Sequence, residues 1–561
     1  MSLPPRRQWS ANLTAAFARV PSPQGVELPP YRRSELVLLV AAGILTTAAL
    51  SALTLAHDGH LTYHIATYAL GFYVLWGFVH LAMRRFAPAA DPLLMPLCAA
   101  LNGLGLVMIY RLDLARSDAA KQAGRAIPPS AAHTQVIWTA LTAIVFVVVL
   151  ALVRNHSTLA RYTFTAGLAG LVFLLLPVLP GIGATINGAR LWLQVGPFSF
   201  QPSEISKILL AIFFAGYLRT FGALMSAHVV TKARRRSAGN AAAALTGAIR
   251  RLRPGAHGPG EQAAPAGVSD SSGTYTGVIS RVWSKGPRFY VPAILTWVAG
   301  LGVLVIERDL GSSLLFFGMF LVVLYVASER ARFVVVGLSL FIAAALAAYH
   351  LFSHVQVRVD IWLHAFDGTN PSNKSYQLVQ GLYGFAAGGI TGTGLGRGHP
   401  NKVPFANTDF IMASLGEELG LTGVMAILVM YLLIVVRGMR IALTTPDPFG
   451  KLLATALAAT LGIQVFVQVG GVMRLIPLTG VTLPFVSYGG SSLVANAAII
   501  ALLLRISDTV RRRQAEAQDV LEVEPDQIAN VQTEIVRRVD VQEVQAIQEV
   551  PETQETHEPA E

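Results

Sequence analysis

IMASLGEELGLTGVMAILVMYLLIVV, residues 411–436, decides the fold class. As an α-helix this run would reach about 39 Å, more than the roughly 30 Å hydrocarbon core of a bilayer. Its only charged residues, Glu417 and Glu418, lie near its start, and Arg437 and Arg440 follow its end. From Gly423 to Val436 it is apolar all round, with no polar stripe to face water. Comparable runs precede it at 36–55, 61–83, 92–110, 134–153, 162–179, 202–218, 289–306, 310–327 and 333–352, and follow it at 452–469 and 492–506. The pattern predicts an all-α polytopic membrane protein of about 12 transmembrane helices.

Composition agrees. Of the 561 residues 13% are charged, against roughly 25% in ordinary soluble domains. A net charge of +11 would suggest nucleic acid in a soluble chain, but here the cations occupy alternate loops. They are Arg6, Arg7, Arg19, Arg32 and Arg33, then Arg84 and Arg85, Arg154 and Arg161, Arg330 and Arg332, and Arg437, Arg440 and Lys451. The first opposite turn, His57 to His60, has neither Lys nor Arg, so both termini are expected in the cytoplasm. No nucleic-acid partner is expected. Cys98 is the one cysteine, which excludes an intrachain disulfide. The first apolar run is too long for a signal-peptide core and reads as a retained span.

The division expected is an N-terminal arm (1–33), a pair of helices (34–91), a core (92–506) and a cytoplasmic tail (507–561). Residues 222–288, rich in Ala, Gly, Ser and Arg, read as a disordered cytoplasmic loop near anionic headgroups. The tail has too few large apolar groups for a core and reads as disordered. Outside, 181–201, the long loop 353–410 and the Gly/Pro-rich apolar stretch 470–491 are informative. Broken backbone at membrane depth survives only where buried or lining a cavity, so 470–491 is expected to re-enter and shape a site.

Asp409 stands at the external mouth of the 411–436 helix, after Asn407 and Thr408. There it could support the helix start, or serve as a general base on a sugar hydroxyl. Glu417 and Glu418, two turns inward, are either functional ionisable groups or a buried pair with a basic neighbour. Arg190 and Trp192 could anchor at the interface, and Glu204 and Lys207 can pair at i, i+3; alternatively these cations clamp a lipid pyrophosphate. The external loop holds Arg358, Lys374, Arg397, His399 and Lys402 among glycines that only weakly suggest a phosphate cradle. Arg308 and Asp309 read as a local salt bridge. The histidines show no metal-ligand spacing.

Five stretches together resemble the SEDS family, the RodA, FtsW and SpoVE group, with a lean towards RodA. They are NGARLWLQVGPFSFQPSEISK (187–207), ERDLGSSLL (307–315), YQLVQGLYGFAAGGITGTGLGRG (376–398), NTDFIMASLGEELGLTG (407–423) and GGVMRLIPLTGVTLPFVSYGGSS (470–492). The resemblance covers about 92–506, so the first two helices look like an addition to a ten-helix core. It implies a peptidoglycan glycosyltransferase of the bacterial cytoplasmic membrane that polymerises lipid II into β-1,4 glycan and releases undecaprenyl pyrophosphate. Asp409 falls on the family's essential aspartate. Arg190, Trp192, Glu204, Lys207, Arg397, Lys402, Glu417 and Ser487 become the candidate substrate-binding set. The implied partner is a class B penicillin-binding protein, a transpeptidase, within the lipid membrane. A divalent cation, Mg²⁺ or Mn²⁺, is the one cofactor considered. A lipid II flippase and a non-catalytic scaffold are the competing readings. The chain departs from the family pattern at Leu191, at Glu307-Arg308-Asp309 and at Asn401-Lys402-Val403-Pro404.

Overall fold

The structure is a computed structural model that describes residues 31–61, 63–179, 183–186, 189–195, 198–219, 309–367 and 375–521, with five further positions between 294 and 302. The chain is a multi-pass helical membrane protein. Among the described residues ten helical segments are long and apolar enough to cross a bilayer. They begin with α1 (Tyr31–Asp58), α2 (His64–Phe86), α3 (Leu94–Gln122) and α4 (Ala131–Leu152). A 3₁₀ turn (His156–Tyr162) then runs into α5 (Thr163–Leu175). Residues 202–219, the sixth expected span, form helix α6. The seventh expected span, 289–306, lies mostly outside the described residues, as does the 222–288 loop. There follow α7 (Leu310–Ser328), α8 (Ala331–Leu351), α9 (Ser353–Leu363), α10 (Tyr376–Gly388), α11 (Ile411–Thr444), α12 (Pro448–Val472) and α13 (Gly490–Leu521).

The helix starts follow local chemistry. Ser130, Asp309 and Asp447 each accept a backbone N–H in the first turn of α4, α7 and α12. In α3, α12 and α13, 83% of the most apolar window is buried, so these helices form the centre of the bundle. Helix α8 has no buried residue and packs on α7 only through half-buried side chains, such as Phe341 stacked on Phe317.

The structure corrects three expectations. Residues 183–200 include a three-stranded antiparallel sheet, β1 (Gly183–Ile186), β2 (Ala189–Val195) and β3 (Phe198–Phe200). Ile186 pairs with Ala189 across Asn187-Gly188, a dipeptide that favours two-residue hairpin turns. The long loop after α8 contains two helices, α9 and α10. Helix α13 continues past Ile506 to Leu521, into the expected disordered tail, because Arg, Gln, Ala and Glu propagate a helix already nucleated.

Polar ties fasten the first two helices to the core. Arg32 donates to the Pro88 carbonyl (2.9 Å) and pairs with Glu35, which also meets His80 Nδ1 at 2.9 Å. Arg505 of α13 donates to the Phe86 carbonyl (2.6 Å), and Ala89 N–H donates to Asp508 (2.8 Å). Helices α1 and α3 cross closely at Gly103, where an added Cβ would lie 2.0 Å from Thr46 Oγ1.

Candidate active site

The starts of α7 and α11 border the connection 473–489, through Gly311 against Thr479 and Val481 and through residues 407–408 against Ser487 and Tyr488. The backbone of 407–409 is held by three bonds from two elements, the 473–489 connection and α12. Tyr488 N–H donates to the Asn407 carbonyl (2.7 Å), Ser487 Oγ to the Thr408 carbonyl (2.5 Å), and Gln468 Nε2 of α12 to the Asp409 carbonyl (2.7 Å). Arg116 of α3 donates to Asn407 Oδ1 at 3.0 Å. Ser487 Oγ also accepts from Leu483 N–H (2.9 Å), so the residue sets both its own turn and the Asp409 segment.

Asp409 does not cap α11. Phe410 is the N-cap residue and the helix start has no side-chain cap. The half-buried Asp409 carboxylate instead accepts from Thr408 Oγ1 at 2.8 Å and, more weakly, from Gln377 Nε2 of α10 at 3.5 Å. Burial pushes this carboxyl above its ordinary range; the Thr408 and Gln377 hydrogen bonds and the positive charge of Arg358 oppose the shift without cancelling it.

Arg358, on α9, donates through Nη1 to the carbonyls of Leu478 (2.9 Å) and Thr479 (3.1 Å). Its charge acts on Asp409 and also on Asp309. Asp309 is 6% exposed. One of its oxygens accepts Ser312 N–H at 2.9 Å, and the other, Oδ2, has no hydrogen-bond partner among the described residues. Burial pushes the Asp309 carboxyl up as well, with Glu204 adding to the shift. Arg308, its expected partner, lies outside the described residues.

Glu204 and Lys207 form the expected i, i+3 pair at 2.5 Å on α6. Both are buried, and Lys207 Nζ also donates to Gln464 of α12 and Asn496 of α13, each at 3.0 Å. Two of its ammonium donors are thus taken by amide oxygens, and Glu204 supplies the counter-charge. Gln464 Nε2 continues to the Thr482 carbonyl (2.9 Å), and Thr482 Oγ1 to Ser492 Oγ (2.9 Å), which links the pair to the 473–489 connection. Reciprocal bonds between Arg474 and Trp362 tie the same connection to α9: Arg474 Nε to the Trp362 carbonyl at 2.7 Å, and Trp362 Nε1 to the Arg474 carbonyl at 3.1 Å.

The glycine-rich turn after α10 is gripped by α11. At Gly420 the helix breaks at φ 68°, ψ −171°. The freed groups bond to the turn, Thr393 N–H to Glu417 carbonyl (3.0 Å), Gly394 N–H to Glu418 carbonyl (3.0 Å) and Leu421 N–H to Gly389 carbonyl (2.9 Å). Glu417 accepts His399 N–H (2.6 Å) and Glu418 accepts Gly396 N–H (3.0 Å). Arg111 of α3 is the basic neighbour, donating to Glu418 (2.9 Å) and to the Gly398 carbonyl (2.8 Å). These turn N–H groups already have acceptors within the protein, unlike those of a phosphate cradle.

Of the other candidates, Arg397 and Lys402 are exposed, and Trp192 is half-buried on β2 opposite Ala184. The Arg190 side chain, Lys374 and Glu307 lie outside the described residues. Among the described residues no three His, Cys, Asp or Glu side chains converge as a metal-ligand set. Gln377, Gln464, Gln468, Asn496 and Arg474 are contributors the sequence reading missed. Gln464 and Gln468 had a signal: two amides four residues apart in an apolar run share one helix face.

The family model described as "Cell cycle protein", covering FtsW, RodA and SpoVE, matches residues 92–247 and 275–512. The chain is 44% identical over 486 residues to "Peptidoglycan glycosyltransferase RodA" of Mycobacterium bovis, spanning 86% of this chain and 92% of that one. It is 43% identical over 485 residues to the Mycobacterium leprae protein of the same name, with the same coverage. A solved structure described as "Structural coordination of polymerization and crosslinking by a peptidoglycan synthase complex" aligns with a TM-score of 0.53 and 25% identity, covering 75% of this chain and 98% of that one. The match takes in the Asp409 segment, the glycine-rich turn and the 473–489 connection, and leaves α1 and α2 ahead of it. The chain belongs to the FtsW/RodA/SpoVE family.

Proposed function

We propose that this chain is a peptidoglycan glycosyltransferase that polymerises lipid II into β-1,4 glycan, with Asp409 as its general base. The observation that carries the reading is the state of that carboxylate. It is held through its own carbonyl by Gln468 of α12 and, through the Thr408 carbonyl, by Ser487; it stands free of any capping duty and has a proton affinity raised by burial. A general base works best with a pKa drawn towards operating pH. In the reaction, the carboxylate takes the proton of the acceptor 4-hydroxyl while the oxygen bonds to the donor's anomeric carbon. The bond from that carbon to the pyrophosphate oxygen breaks, and its electron pair leaves with undecaprenyl pyrophosphate.

The growing negative charge needs cations. Arg358 beside Asp409, and the exposed Arg397 and Lys402 on the turn, are the available donors, with Arg190 and Trp192 of β2 as further substrate contacts. Glu204, Lys207, Glu417 and Ser487 act by positioning, because their polar atoms are spent on the helices and turns that frame Asp409.

Charge bias between loops supports an external site with both termini cytoplasmic. The likeness to a synthase complex that joins polymerisation and crosslinking supports a class B penicillin-binding protein as partner. The test is Asp409→Asn assayed for glycan product on purified lipid II. Loss of about 10²–10⁴-fold in rate is expected, with folding intact because Asp409 does not cap the helix. Polymer at near wild-type rate would remove Asp409 from the chemistry.

A further inference from the structure

Helices α1 and α2 enclose, with α3 and α4, a cavity of about 370 Å³. Its walls are largely carbon, including Leu50, Phe72, Leu106 and Val107. The hydroxyls of Thr46, Thr47 and Thr139 donate to carbonyls four residues back on their own helices, at 2.8–2.9 Å. They therefore offer the cavity little hydrogen-bonding capacity. Thr67, Tyr68 and Gly71 of α2 and Val136 and Ala140 of α4 line the space and are exposed, so it opens sideways between these two spans. At its inner end Trp76 and Asn102 also line a second cavity of about 30 Å³ that reaches Cys98 and Phe485. There Trp76 Nε1 and Asn102 Oδ1 are buried without a partner among the described residues.

We propose that this cavity is a binding site for the acyl chain of a membrane phospholipid. A water molecule's share of liquid volume is roughly 30 Å³, and apolar cavities of this kind do not hold water, so the occupant suited to it is hydrocarbon. The lateral mouth makes the bilayer its source. The donor on Trp76 and the acceptor on Asn102 suit a single bridging water, which sets the inner limit of the chain. The walls also identify the occupant as bulk lipid rather than a substrate tail. Half of them come from α1 and α2, which precede the family's matched region at residue 92, whereas the reaction site is built within that region.

The test uses the full-length protein in nanodiscs containing a phospholipid with a photoactivatable diazirine near the end of one acyl chain. After irradiation, adducts are mapped by peptide mass spectrometry. Labelling at Tyr68–Trp76 and Val136–Ala140 is expected to exceed that of α8 several-fold, since α8 has no buried residue and its exposed face reports annular contact. Gly71→Phe should abolish the excess and leave α8 labelling unchanged, because an added Cβ at Gly71 meets nothing within 4 Å and the ring can fill the space. Equal labelling of the cavity helices and α8, or an excess that persists in Gly71→Phe, would overturn the site. A polyprenyl phosphate photoprobe that labels these residues in preference to the phospholipid would overturn the choice of occupant.

Discussion

Lys207→Met removes one ammonium from the buried junction of α6, α12 and α13. The side chain loses only its terminal nitrogen in length, but Glu204 loses its counter-charge at 2.5 Å and the oxygens of Gln464 and Asn496 lose donors at 3.0 Å. Breaking a buried pair from one side costs about 3–5 kcal/mol, and the two amides can partly relieve their loss by rotating. A net destabilisation of about 4 kcal/mol is expected, close to a thousandfold in an equilibrium constant. Part of that loss should fall on the 473–489 connection through Gln464 and Thr482, and so on the placement of Asp409. The informative comparison is Glu204→Gln combined with Lys207→Met, which deletes the orphaned charge along with its partner. Removing both charges of a buried pair is often nearly neutral. The double variant should therefore recover most of the thermal stability and of kcat on lipid II. Stability is read by intrinsic fluorescence on heating, and kinetics by gel-resolved glycan. A double variant that regains stability yet keeps a KM for lipid II raised tenfold or more would refute the positioning role and make Lys207 a substrate contact.

Other perturbations test the same frame. Asp409 must be unprotonated to act and burial holds its carboxyl above the ordinary range, so kcat/KM should rise with pH through a limb that lies above that of a free aspartate. Arg358→Gln should move that limb to higher pH by removing the cation that favours the carboxylate, and an unmoved limb would sever Arg358 from Asp409. Glu418→Gln leaves Arg111 buried without its counter-charge, so a loss of about 3–5 kcal/mol is expected, with hydrogen-exchange protection lost across residues 389–399. Gly420→Ala places a Cβ 2.2 Å from Gly392 N and 2.6 Å from the Ile390 carbonyl oxygen, at a positive φ. Backbone strain alone makes it about 1–3 kcal/mol less stable, measurable as a lowered melting temperature.

The sequence by itself determined the solvent of this protein. Apolar runs such as 423–436 have one stable solution in a bilayer, a helix that satisfies its own backbone, and this is a local property that needs no tertiary information. The Glu204–Lys207 pair was equally legible, because i, i+3 neighbours on a helix meet whatever surrounds them. The strands at 183–200 were less so: runs of three to seven residues inside a polar loop carry little periodic signal, although Asn187-Gly188 marked the turn. Only the tertiary structure decided what each charged group does. Asp409 stands one residue ahead of the Phe410 N-cap, a difference no residue pattern reports. Lys207 has two of its donors taken by Gln464 and Asn496, more than 250 positions away, and Arg111 reaches Glu418 across 307. In a low-dielectric interior the role of a charge is set by its nearest partners, and those partners are brought together by helix packing rather than by chain order.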